Sequence, residues 1–92
     1  MDKSEARSVL REYMARYKAR SYAELADKIS RLDVCEARGA SGTNYQIEIQ
    51  VVWDDKQRRT LRVLGAIDDG SLRAFLPLCE DFVMKQDGTI LD

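Results

Sequence analysis

Apolar side chains fall at helical spacing through the first third of the chain and at a spacing of two beyond it. Ala6, Val9, Leu10, Tyr13, Met14 and Tyr17 share one stripe, the pattern of an amphipathic helix. Asp2 and Ser4 are candidate N-caps, with Glu5 three residues after Asp2. Ser21-Tyr22-Ala23-Glu24 has the spacing of a capping box, in which the serine and glutamate each satisfy a free amide of a new helix start. Tyr22, Leu25, Ala26, Ile29 and Leu32 carry the stripe onward. The expected helices therefore span about 4–19 and 21–30, with a change of direction between them.

The period then changes. Strands are expected over about 33–38, 44–54 and 59–68, with a further one over about 72–86 that breaks near Pro77. The clearest is the second, where Tyr45, Ile47, Ile49, Val51 and Trp53 alternate with Gln46, Glu48, Gln50 and Val52. That is the pattern of a half-buried antiparallel strand. Beyond the polar turn at Asp54-Asp55-Lys56, the residues Leu61, Val63, Gly65 and Ile67 keep the same alternation. Matching the two apolar sets sets Trp53 opposite Leu61, Val51 opposite Val63, Ile49 opposite Gly65 and Ile47 opposite Ile67, since a slip of one would turn a whole set to water. Gly65 leaves room there for a bulge, a bend or a closely packed helix. Pro77 donates no ladder hydrogen bond, which makes the last segment an edge strand. Asp87-Gly88 is a tight turn, and Thr89-Ile90-Leu91 adds a short terminal strand.

The chain of 92 residues holds one domain, 1–92, because halves of that length would bury too little. With 45% hydrophobic and 34% charged residues its composition is that of a folded protein. Net charge is −1, but residues 1–20 carry +3 and the remainder −4. An acidic balance without interleaved aromatic and basic residues weighs against nucleic acid, and the arginines Arg58, Arg59 and Arg62 read as a solvated turn. No apolar run reaches signal-peptide or membrane-span length. The expected setting is thus the cytoplasm, with Cys35 and Cys79 as free thiols.

The sequence contains no histidine. Ser-His-Asp and Cys-His nucleophiles are excluded, and two cysteines do not make a structural zinc site. No metal or cofactor is expected.

Three pieces carry a family resemblance: Tyr22-Ala23-Glu24-Leu25-Ala26, the run from Tyr45 to Asp54, and the ending Phe75-Leu76-Pro77-Leu78, Asp81-Phe82-Val83-Met84, Asp87-Gly88. In their order they resemble the cystatin-like, or nuclear transport factor 2-like, superfamily. The resemblance implies an α+β fold in which two N-terminal helices pack on a curved antiparallel sheet of about four strands. It also implies a pocket between the layers and dimers formed through the outer face of the sheet. The chain is shorter than the enzymes of that superfamily.

Two functional readings follow. In the first, the chain is a non-catalytic binding or homodimeric assembly module. Val52, Leu64 and Ala66, with Arg62 among them, lie on the sheet face turned from the helices and would centre the dimer contact. In the second, it is a small-molecule binder or pocket enzyme. If Cys35 and Ala37 face the core, Asp33 does too, beside Tyr13, Tyr17 and Tyr45. A carboxyl against an apolar wall has a raised pKa and serves as a base with a tyrosine as hydrogen-bond donor, which resembles the steroid-isomerase branch of the superfamily. The bland explanation is that Asp33 punctuates a turn and the tyrosines are core side chains with wet hydroxyls.

Overall fold

The computed structural model describes residues 2–70 and 77–91. Helix α1 spans Lys3–Lys18 and is capped by Asp2, whose Oδ1 accepts from the Glu5 amide at 3.1 Å. Helix α2, Tyr22–Ala26, opens with the expected capping box between Ser21 and Glu24. It is shorter than the apolar spacing suggested, because the chain turns out of it to bring Ile29 beside Val51. Ser30 then takes a positive φ of 71° to enter the sheet, a conformation open to few non-glycine residues.

Five strands follow: β1 Leu32–Arg38, β2 Asn44–Trp53, β3 Leu61–Asp68, β4 Leu78–Met84 and β5 Ile90–Leu91. They form one open antiparallel sheet in the order β1-β2-β3-β4-β5. The short terminal strand expected at 89–91 is present, since the Asp87-Gly88 turn returns the chain for Ile90 to pair with Met84, and it brings the expected four or so strands to five. The last long strand begins only after Pro77, and the part of the expected 72–86 segment at 72–76 lies outside the described residues. The β2–β3 register is the one the apolar alternation requires, with Trp53 opposite Leu61 and Ile49 opposite Gly65. Among the described residues, no helix is long and apolar enough to cross a membrane.

The core lies between α1 and one face of the sheet. From α1 it takes Ala6, Leu10, Met14 and Tyr17, from α2 Leu25, and from the sheet Tyr45, Ile47, Ile49, Val51, Leu61, Val63, Ile67, Phe82 and Met84. Burying each large apolar side chain contributes about 1.5–3 kcal/mol, so this single layer dominates stability. Gly65 sits beneath α1. A Cβ there would stand 2.5 Å from Met14 Sδ and 3.2 Å from Leu10 Cδ1, so the missing side chain serves the close-packed helix rather than a bulge. Gly65→Val is expected to lower unfolding free energy by about 1–3 kcal/mol, read from urea denaturation. An unchanged midpoint would mean that α1 does not seat over this residue.

Candidate functional site

The tyrosines and carboxylates singled out in the sequence sit on the inner side of the sheet, and most of them fasten α1 in place. At its start, Glu5 Oε1 accepts from Tyr45 Oη at 2.8 Å and from Ser41 Oγ at 2.7 Å, while Oε2 accepts from the Ser41 amide at 3.0 Å. These donors, Ser41 foremost, hold the Glu5 carboxyl below its ordinary range. Burial, then the Glu5 hydrogen bond, pushes Tyr45 up to about 12. Gly39 makes this junction possible, because a Cβ there would collide with the Glu5 carboxylate and stand 3.0 Å from the Tyr45 ring.

The other end of α1 is tied to the start of β1. Tyr17 Oη donates to Asp33 Oδ2, and Lys28 Nζ approaches the same oxygen at 3.4 Å. Asp33, Cys35 and Ala37 do share the half-buried inner side of β1. The expected raised pKa is corrected, however. The Tyr17 hydrogen bond and, more weakly, Lys28 outweigh desolvation and hold the Asp33 carboxyl low. Tyr17 is pushed upward, mainly by burial and then by Asp33. A carboxylate that prefers its ionised form accepts hydrogen bonds well and takes up a proton poorly at neutral pH.

Tyr13 does not join this pair through a hydrogen bond; the Arg16 guanidinium lies 4.4 Å from its ring centroid. Tyr17 and Tyr45 therefore serve carboxylates at opposite ends of a 16-residue helix, about 24 Å long. Burial also pushes the Cys35 thiol upward, away from the thiolate that a nucleophile needs. On the far flank of α1, Arg11 Nε donates to Glu80 Oε1 at 3.1 Å, with Arg7 Nε 3.9 Å from the same oxygen.

The outer face of the sheet is different in character. Among the described residues, the large apolar side chains that stay exposed are Leu32 (55%), Leu64 (37%), Val34 (51%) and Leu91 (45%). All four belong to this one face. The ladder places them in cross-strand rows: Leu32-Gln50-Leu64-Asp81, then Val34-Glu48-Ala66-Cys79, then Val52-Arg62-Val83-Leu91. A concavity of about 450 Å³ crosses the first two rows, with Leu32, Leu64, Ala66 and Cys79 in its lining and Glu48 and Asp81 beside them.

Val52, Arg62, Leu64 and Ala66 thus share the outer face. Arg62 is held there by Asp54, at 2.8 Å, and by Asp81. Sequence reasoning missed Leu32, Val34, Val83 and Leu91. The first two were legible, because the parity that turns Asp33 and Cys35 inward turns Leu32 and Val34 outward. Leu91 depends on a two-residue strand with little pattern of its own.

Comparison of the chain with family models, with curated proteins and with solved structures finds no match in any of the three.

The Tyr17–Asp33 contact is expected to act on stability. Tyr17→Phe and Asp33→Asn should each cost about 1–2 kcal/mol at pH 7. The folded Asp33 carboxyl lies below its ordinary 3.8, so its contribution is present above that value and drains as pH falls through the folded pKa. The gap between the urea midpoints of wild type and Asp33→Asn should accordingly narrow from pH 7 to pH ~3. Equal separation at both pH values would exclude this linkage.

Proposed function

We propose that the chain is a non-catalytic docking module whose contact surface is the outer face of its sheet. The observation that carries this reading is the gathering of every large exposed apolar side chain of the described residues on that one face, where Leu32 and Leu64 line a concavity. Isolated exposed aliphatics are ordinary, but a contiguous group rimmed by polar residues marks an interaction surface. Of the polar residues that suggested pocket chemistry, Tyr17, Asp33 and Tyr45 are engaged in holding α1, and Asp33 favours the ionised form. That favours docking over proton transfer.

The resemblance to cystatin-like domains supports the same face, since it is the one through which many such domains dimerise. A second copy and a separate partner are its two possible occupants. Light scattering separates them by reading twice the 10.5 kDa chain mass or the chain mass itself.

Nile red, a neutral apolar fluorophore, tests which face is used. The folded protein should enhance its emission, Leu64→Glu should remove most of that gain, and Asp33→Asn should leave it. Leu64 is partly covered and stands opposite Asp81, so the glutamate should cost about 1 kcal/mol, and circular dichroism shows whether the variant stays folded. Loss of the gain in Asp33→Asn with retention in Leu64→Glu would move the binding site to the inner side and sink this reading.

A further inference from the structure

We infer that the outer face takes an amphipathic peptide segment of a separate partner, with apolar side chains on one side and a lysine or arginine placed to meet Glu48. The inference rests on the docking reading above and adds the partner's chemistry. Charge decides between the two occupants. The outward positions of β1 to β4 carry Glu36, Glu48, Asp68 and Asp81 against Arg38 and Arg62. Arg62 is already engaged by Asp54 and Asp81. Acid is therefore in excess on this face, and stacking it on its own copy would press like charges together across an apolar contact.

Glu48 is the focus of that excess. It makes no ion pair or hydrogen bond among the described residues, and it stands in the row between Val34 and Ala66. A carboxylate covered by a purely apolar partner would lose its water with nothing in return. A basic side chain resolves both demands: its methylene stem lies along Leu64 and Leu32 while its charged head reaches Glu48. The concavity runs from Leu32 on β1 to Cys79 on β4. Three strand spacings make that about 14 Å, and nine or ten residues of helix cover about the same length. The chain's own basic helix does not supply this occupant, because the outward residues of α1 beside Arg7 and Arg11 are Ser4, Ser8, Glu12 and Ala15.

Fluorescence anisotropy with a fluorescein-labelled 14-residue peptide of leucine and lysine in amphipathic helical spacing tests the inference, beside a matched leucine–glutamate peptide. The leucine–lysine peptide should bind one per chain and weaken as salt rises. Glu48→Lys should weaken it about fivefold or more. Glu12→Lys makes the same charge change on the outer side of α1 and should leave binding unaltered. Three results would overturn the inference. Equal binding of both peptides, lost in Leu64→Glu, would keep the docking face and discard its charge preference. Equal weakening by Glu12→Lys and Glu48→Lys would reduce the effect to net charge. Absence of binding would also defeat it; a dimeric mass that Leu64→Glu halves would then assign the face to a second copy, and a monomeric mass would remove the docking face as well. Circular dichroism of each variant keeps loss of fold apart from loss of binding.

Discussion

Everything in this molecule depends on how α1 lies against the sheet. A five-stranded open sheet with one strongly apolar face does not hold in water until that face is covered. Among the described residues, α1 is the one element long enough to cover it. Its stripe of Ala6, Leu10, Met14 and Tyr17 enters the face at the depth Gly65 permits. A larger residue at 65 would lift the helix and open the contacts made by Phe82, Val63 and Ile49 around it. The sheet's register and the helix's depth are therefore one constraint seen from two sides.

That constraint accounts for the polar residues of the inner side. The hydrophobic effect is non-directional, so burial itself sets no orientation, and close packing at Gly65 constrains the helix chiefly at that one crossing. Directional bonds at its two ends and one flank oppose sliding: Glu5 with Ser41 and Tyr45, Tyr17 with Asp33, Arg11 with Glu80. Each joins a residue of α1 to one at least 16 positions away, so none forms until the helix is seated. Surface pairs such as Arg11–Glu80 add little energy, yet they fix an alignment that the core leaves loose.

Much of the architecture was legible because β2 and β3 repeat with a period that allows one register, and because Ser21 and Glu24 announce a helix start unambiguously. The site was less legible for a physical reason. Sequence spacing showed that Asp33 faces inward with Cys35, but the direction of its pKa depends on which donor arrives from elsewhere in the chain. Tyr17 lies 16 residues away, and only the seated helix brings its hydroxyl to the carboxylate. An apolar wall and a hydrogen-bond donor shift a carboxyl in opposite directions, and periodicity does not report which one it meets. In the same way, Val52, Leu64 and Ala66 marked the outer face through strong strands, whereas Leu91 depended on a return after Gly88 that spans two residues.

A division of labour between the two faces follows. On the inner side the polar groups come in partnered sets, and no buried side-chain polar atom among the described residues lacks a hydrogen bond. Folding alone explains their presence. On the outer side Leu32, Val34 and Leu64 gain nothing from staying in water, and among the described residues Glu48 has no ion-pair or hydrogen-bond partner to justify its place between apolar neighbours. Strand propensity favours β-branched or aromatic residues at such positions, but it does not favour leucine beside a glutamate. A sheet face built only for solubility would carry alternating charges, as edge and surface positions usually do. The combination seen here meets the needs of a contact, in which burial recovers the cost of the exposed aliphatics and a cation recovers that of the lone carboxylate.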